Sequence, residues 1–300
     1  MFVRRCVAGL SVLLIVGIAT PPAFGTFTTQ PERVAFFRVP AGETDTELFT
    51  IKLDGTGAKR LTHNDIPEYD PRISPDGSRI VFWSVPAGGT DSELYTIWSD
   101  GSHRRRLTDD EFFDGSATWS PTGGRIAWVS GRRSDQEDIF TMHPDGTHIQ
   151  RVTYSEGPEW LPTWSPDGDV IVFSWFDVDG DWEVSQVRLS PTGNGFSGLT
   201  NNDGVADFAG DWSPDGSRIV FWSNRDGDYE VFQMWPDGSH VRRVTDNDFN
   251  DLYPFYEPNG SRIYLNRFLG ADMEIVSIRS DGTQARKVTD NDLNDYLVND

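Results

Sequence analysis

One four-residue turn recurs along the chain and constrains the fold more than any other feature. Ser-Pro-Asp-Gly occurs at 74–77, 165–168 and 213–216, and related turns occur at 120–123 and 257–260. Successive prolines lie 44 to 48 residues apart. Proline presets φ at the second position of a type I turn and glycine suits its end, so each copy predicts a tight hairpin. A period of this length indicates a repeat fold.

Each hairpin belongs to a predicted unit of four strands. A short strand bearing Trp119, Trp164 or Trp212 precedes the turn, and an alternating strand such as 79–83 follows it. A third strand, such as 93–97, leads into an Asp-Gly turn, and a fourth ends in Leu-Thr or Val-Thr. Four strands per repeat predict one blade of a β-propeller.

The number of blades follows from the ends of the fourth strands. These ends are Thr62, Thr108, Thr153, Thr200, Thr245 and Thr289. The first unit begins at its second strand, 33–37, while a first strand without a following turn lies at 296–298. We therefore predict an all-β, six-bladed propeller with four antiparallel strands per blade, closed by the C-terminal strand. An open solenoid is the alternative.

These motifs together resemble a known family. The Ser-Pro-Asp-Gly turns with an upstream tryptophan, the Arg-Ile-Val-Phe strands and the Arg-Leu-Thr endings are similar to the WD40-like (PD40) repeats of TolB-like propellers, over residues 31–300. The family includes periplasmic scaffolds, lyases and the propeller domains of serine peptidases, so the resemblance implies the fold without fixing the function. The sequence contains neither the α/β domain of TolB nor a hydrolase domain, which favours a binding scaffold.

The N-terminus has the pattern of an export signal. Arg4 and Arg5 precede an apolar run at 7–18, and a small-residue cleavage site ends at Gly25. We therefore expect a signal peptide at 1–25, a single propeller domain at 26–300, and a periplasmic or secreted location. The apolar run is short for a membrane span, so no span is expected after the signal is removed. Cys6, the one cysteine, lies within the signal.

Charge and missing motifs narrow the function. The formal net charge of −21 disfavours nucleic acid and favours a protein, peptide or other ligand that is cationic. The sequence lacks a GxSxG elbow, a phosphate loop, an HExxH pair and a cysteine pair, so we predict no catalytic residue. A non-catalytic role is favoured, although the enzyme question stays open.

Acidic residues recur in every blade-to-blade connection. A first set lies three residues after each threonine and comprises Asp65, Glu111, Glu156, Asp203, Asp248 and Asp292. A second set follows a few residues later and comprises Glu68, Asp114, Glu159, Asp207, Asp251 and Asp295. A third set opens the third strands and comprises Glu47, Glu93, Asp138, Glu183, Glu230 and Glu274.

Strand alternation places all three sets on one face of the ring, around the channel mouth. We predict that the first two sets bind the ligand and that the opposite face, which carries the turns, is basic. The structural alternative is that these acids only form turns and caps.

The sequence leaves open a second function and a metal site. Channel-face carboxylates with a divalent ion could serve a polysaccharide lyase or hydrolase. No cofactor is required, but weak calcium binding is possible, because 177–183 and 224–230 offer oxygen ligands at alternate positions. Asp179-Gly180 and Asp226-Gly227 also fit ordinary two-residue hairpin turns, so the metal ligands are not assigned.

Overall fold

The computed structural model describes residues 14–15, 33–40, 42–132, 136–190, 195–269 and 272–289. Within these residues the regular structure is entirely β, and it forms six antiparallel sheets of four strands. This confirms the predicted six-bladed propeller.

Each blade takes four strands in order from the channel to the rim. Blade 1 comprises β1 (Leu14–Ile15), β2 (Arg33–Arg38), β3 (Glu47–Lys52) and β4 (Lys59–Arg60). Blade 2 comprises β5 (Glu68–Ile73), β6 (Arg79–Ser84), β7 (Glu93–Trp98) and β8 (Arg105–Arg106). Blade 3 comprises β9 (Asp114–Trp119), β10 (Ile126–Ser130), β11 (Asp138–Met142) and β12 (Gln150–Arg151).

The other three blades continue the series. Blade 4 comprises β13 (Glu159–Trp164), β14 (Val170–Phe176), β15 (Trp182–Arg188) and β16 (Gly195–Gly198). Blade 5 comprises β17 (Asp207–Trp212), β18 (Ile219–Ser223), β19 (Glu230–Met234) and β20 (Arg242–Arg243). Blade 6 comprises β21 (Asp251–Tyr256), β22 (Arg262–Leu269), β23 (Asp272–Arg279) and β24 (Arg286–Lys287).

The ring closes by contact between blades 6 and 1. The Tyr264 hydroxyl donates a hydrogen bond to the Leu53 carbonyl oxygen at 3.2 Å. Within blade 1, Leu14 and Ile15 pair with Phe36 and Ala35. The sequence predicts that residues 296–298 fill this inner position, but they lie outside the described residues. Closure by the C-terminal strand therefore stays a prediction.

The core lies between the blades. The middle strands bury both faces, as Ile80, Val81 and Phe82 of β6 show with 0% exposure. Facing sheets then share apolar clusters, such as the one in which Val81 of blade 2 meets Trp128 of blade 3. The strand-ending tryptophans, namely Trp119, Trp164 and Trp212, are also buried. The aromatic residues therefore hold neighbouring sheets together.

The Ser-Pro-Asp-Gly turns are fixed by their own side chains. The Ser74 hydroxyl donates to Asp76 Oδ1 at 2.6 Å and accepts the Arg79 amide at 3.0 Å. The same two bonds recur at Ser165 and Ser213. The turn therefore forms from local sequence alone, as predicted.

Irregular pairing marks the strands that line the channel. The register between β5 and β6 shifts between Tyr69 and Arg72, and a shift recurs in β9, β13, β17 and β21. Asp70, within the shift, has a φ of 51°. Such bulges redirect side chains, so they decide which residues face the channel.

Candidate functional site

Two faces of the ring are distinguished by their loops. The connection face carries the blade-to-blade connections and the turns between second and third strands, and the turn face carries the Ser-Pro-Asp-Gly and Asp-Gly turns. Members of the first acid set are exposed on the connection face, namely Asp65, Glu111, Glu156, Asp203 and Asp248. Asp292 lies outside the described residues.

The second acid set occupies a different environment from the one expected. Each described member begins an inner strand and has 0% exposure, namely Glu68, Asp114, Glu159, Asp207 and Asp251. Asp295 lies outside the described residues. These carboxylates therefore do not form the expected open ring, because each lies at the first residue of an inner strand, inside the sheet. Their role in ligand binding stays a prediction.

Four of these buried carboxylates have arginine partners. Arg104 Nη1 lies 2.8 Å from Glu68 Oε1, and Arg132 Nη2 lies 2.8 Å from Asp114 Oδ2. Likewise Arg225 Nη2 lies 2.7 Å from Asp207 Oδ2. In blade 6, Arg267 binds Asp251 through two bonds of 2.6 Å. The buried negative charges are thus compensated inside the blades.

The third acid set joins the threonines in a repeated latch. The Thr62 hydroxyl accepts the Leu48 amide at 2.9 Å, and the equivalent bond occurs in all six blades. Glu47, the acid before Leu48, accepts the Asn64 amide at 2.8 Å. The latch fixes the connection to the next blade. The structural alternative therefore describes this set.

The turn face carries less uncompensated positive charge than predicted. Arg60 lies 3.0 Å from Glu47, Arg106 lies 2.6 Å from Glu93, and Arg151 lies 2.7 Å from Asp138. These arginines come from the outermost strands, which follow the Asp-Gly turns of the face predicted to be basic. Part of the opposite charge is therefore neutralised within the blades.

Exposed apolar side chains accompany the exposed acids on the connection face. Phe112 and Phe249 are 43% and 42% exposed, and Tyr154 is 71% exposed. Phe112 directly follows Glu111, and Phe249 directly follows Asp248. These aromatics were not among the predicted site residues, although an aromatic residue directly after the acid of a connection was a visible signal.

A cavity of about 190 Å³ lies in the channel near the turn face. Its polar lining includes Arg72, Thr163 and Asp211, among tryptophan and proline side chains. Burial raises the pKa of Asp211, whose carboxylate accepts the Tyr256 amide at 3.0 Å and the Thr163 hydroxyl at 3.3 Å. Burial likewise raises the pKa of Asp70 to about 6, although Arg72 lies 3.6 Å away and opposes the shift.

The polar residues of the channel were not among the predicted site residues. Asp70, Arg72 and Asp211 stand in inner strands that are otherwise largely apolar or aromatic, and this contrast was the available signal. Their exact positions depend on the strand bulges, which the sequence does not show.

The two proposed calcium loops form hairpin turns. Asp177 Oδ1 accepts the amides of Asp179 and Gly180, at 2.8 and 3.1 Å. In the equivalent loop, the Gly227 amide donates to the Asn224 carbonyl oxygen at 3.0 Å. The described residues include no group of three or more His, Cys, Asp or Glu side chains placed to hold a metal ion. Calcium binding stays a prediction.

Glu159 differs from the other described members of the second acid set because no arginine within the described residues forms an ion pair with it. Burial raises the pKa of Glu159 to about 7, and the nearby charge of Asp138 raises it further, while the hydroxyls of Thr153 and Ser155 oppose the shift. The folded state therefore holds a proton at pH values where the unfolded state has released it. Its contribution to stability is full below the ordinary pKa of 4.5 and is lost as the pH rises to about 7.

Replacing Glu159 by glutamine should remove this pH dependence. Glutamine keeps an acceptor oxygen and cannot ionise, so we expect the fall in unfolding free energy between pH 5 and pH 8 to be smaller by about 2–3 kcal/mol than in the wild type. Urea unfolding at both pH values measures the difference. The exposed Glu156→Gln change is the matched control. Parallel pH curves for Glu159→Gln and the wild type would contradict the assignment.

The fold and the site define the class of protein, which is a six-bladed β-propeller whose connection face carries exposed acidic and aromatic side chains. Residues 68–194 match the model of the TolB beta propeller domain family, PD40. This match and the six-bladed fold confirm the resemblance to TolB-like propellers that the repeats indicated.

Solved structures share this fold. A TolB-type protein from Agrobacterium tumefaciens is 21% identical, with a TM-score of 0.68 covering 78% of this chain and 84% of that one. TolB from Acinetobacter baumannii is 18% identical, with a TM-score of 0.64 covering 87% and 69%. Hydrazine synthase from Kuenenia stuttgartiensis is 15% identical, with a TM-score of 0.72 covering 89% and 46%. At these identities the likeness concerns the fold alone.

A curated relative matches over a short stretch. An uncharacterised protein of Agrobacterium fabrum (strain C58) is 41% identical over 56 residues, which is 19% of this chain and 19% of that protein. The match thus spans about a fifth of the relative's length. Within the described residues, no helix is long and apolar enough to cross a membrane.

Proposed function

We propose that the protein is an exported, non-catalytic binding scaffold whose connection face engages a cationic protein or peptide. The observation that carries the proposal is the pairing of exposed acids with exposed aromatic residues on this face, as at Glu111-Phe112 and Asp248-Phe249. Aromatic side chains supply most of the energy in many protein interfaces, and acids attract a cationic partner before contact. A rigid propeller presents both without rearrangement.

The export part of the proposal rests on the N-terminal pattern and on the TolB-like fold. Arg4, Arg5 and the apolar run at 7–18 have the order of a secretory signal. A periplasmic or secreted location agrees with a binding role in the cell envelope.

Charge-reducing changes on the two faces test the proposal. Labelled decapeptides that combine lysine, arginine and apolar residues serve as probes in fluorescence anisotropy. Glu111→Gln with Asp248→Asn should weaken binding about fivefold, because two attractive charges are lost, and added NaCl should weaken wild-type binding. Phe112→Ser with Phe249→Ser should weaken it without changing the salt dependence.

The control pair removes the same charge from the turn face. Asp54→Asn with Asp169→Asn alters two exposed residues there, and asparagine keeps the acceptor that Asp54 offers to the Thr56 amide. We expect the control pair to bind as the wild type does. Equal losses from both pairs, or no saturable binding of any cationic probe, would contradict the proposal.

The channel supports a second candidate, a lyase or hydrolase acting on a polysaccharide. Carboxyl groups with raised pKa values, as at Asp70 and Asp211, are suited to acid and base catalysis. The cavity of about 190 Å³ is small beside ordinary ligand pockets, which favours the scaffold. Cleavage of an acidic polysaccharide that is lost in both Asp70→Asn and Asp211→Asn would favour the enzyme instead.

A further inference from the structure

The outermost strand of blade 4 differs from those of the other five blades. Those five strands have two residues each, and each contains at least one arginine, namely β4, β8, β12, β20 and β24. An outermost strand leaves backbone groups unpaired, and short, charged strands prevent association with other sheets. Five rims of the ring are protected in this way.

β16 is neither as short as these strands nor charged. It has four residues, Gly-Phe-Ser-Gly, none of them charged and all of them exposed. It pairs with β15 from Ser185↔Gly198 to Arg188↔Gly195, and no other strand of the described chain pairs with it. Its outer edge therefore offers backbone donors and acceptors over the full length of the strand.

The side chains of β16 hold the strand in place without covering its edge. The Phe196 ring contacts Phe173 and Trp175, with centroids 5.8 and 5.3 Å away, yet Phe196 stays 43% exposed. The Ser197 hydroxyl accepts a hydrogen bond from Gln186 at 3.2 Å. Contacts within blade 4 therefore hold the inner side of β16 in place, and its outer edge remains available for pairing with another strand.

We propose that β16 is a self-association edge, which pairs antiparallel with β16 of a second copy of this chain. A two-fold axis through Phe196 or Ser197 sets two identical strands in opposite directions, as an isologous interface requires. A second copy is the favoured occupant because it brings an edge of equal length that is also free of charge. The other outermost strands would place an arginine against the pair.

The size of the interface and the net charge of each copy determine how strong the dimer is and how it depends on salt. Four residues on each side bury far less than the roughly 1,200 Å² of a stable interface, so the dimer is weak and reversible. Each copy carries a formal net charge of −21, and this repulsion falls as salt screens it. Dimerisation therefore increases with salt, whereas binding of a cationic partner at the connection face decreases.

Sedimentation velocity over a range of protein and NaCl concentrations tests the proposal. Ser197→Lys gives β16 the charge that the other rims carry, and it should weaken dimerisation about tenfold or more because the two lysines lie opposite each other or diagonally across the pair, where like charges repel. Gln150→Lys adds the same charge to β12, a rim that is already protected, and should leave dimerisation unchanged. Ser197→Thr, which keeps the strand uncharged, should also dimerise.

Several results would overturn the proposal. A protein that stays monomeric at every concentration and salt tested has no such edge interaction. Equal weakening by Ser197→Lys and Gln150→Lys would show a general charge effect. Thermal melting of each variant separates a loss of pairing from a loss of folding, since β16 lies at the rim and all variants should melt like the wild type.

Discussion

Replacing Arg267 by alanine is expected to lower the free energy of unfolding by about 3–5 kcal/mol. Asp251, its partner, has 0% exposure and receives two hydrogen bonds of 2.6 Å from the guanidinium group. The amide group of Asn247 also donates to Asp251, at 2.9 Å. Without the arginine, the carboxylate must stay buried with this neutral donor or take up a proton. Urea unfolding at neutral pH measures the loss.

Two further variants separate a buried pair from an exposed one. Arg243 and Asp226 form a pair at 3.1 Å on the surface, so Arg243→Ala should cost about 1 kcal/mol or less. Adding Asp251→Asn to Arg267→Ala should restore part of the stability, because the uncompensated charge is removed. Equal losses of unfolding free energy in Arg267→Ala and Arg243→Ala would contradict the predicted contribution of the buried pair to stability.

Replacing Gly101 by alanine should destabilise the protein by about 3 kcal/mol, from backbone strain and a steric clash together. Gly101 has a φ of +92°, and a Cβ there would lie 2.6 Å from the Leu61 carbonyl oxygen of the preceding blade. Gly146, Gly238 and Gly282 meet the preceding blade in the same way. The Asp-Gly turns are therefore contacts between blades as well as turns.

Gly227 provides the matched control for this change. It has a φ of +116°, but a Cβ there would meet nothing within 4 Å. Gly227→Ala should therefore show only the conformational cost, about 1–2 kcal/mol. Thermal or urea unfolding of both variants gives the comparison, and equal losses would mean that the contact between blades contributes nothing.

The sequence predicted the fold well because the information is local and repeated. The turn at Ser74 needs only the residues between Ser74 and Arg79, so its hairpin could be read directly. Five such hairpins and six fourth-strand endings with a common period then imply a ring. The inner position of blade 1 is the exception, because two segments of the sequence could fill it.

The environment of the acids could not be predicted in the same way. An acid in a connection suits an exposed turn and a buried ion pair equally well, and the partner of Glu68 is Arg104, which lies 36 residues further along the chain. The channel residues Asp70 and Arg72 depend on a bulge in β5. Both features follow from tertiary contacts that leave no periodic pattern.

The buried ion pairs have a consequence for how such a ring changes over evolution. In each pair described above, from Arg60 with Glu47 to Arg267 with Asp251, both partners belong to the same blade. The contacts between blades are instead apolar clusters, backbone contacts such as that of Gly101 with Leu61, and hydrogen bonds such as that of Thr163 with Asp211. A blade that is duplicated, exchanged or lost thus carries its own counterions with it. The number of blades can change without breaking these ion pairs.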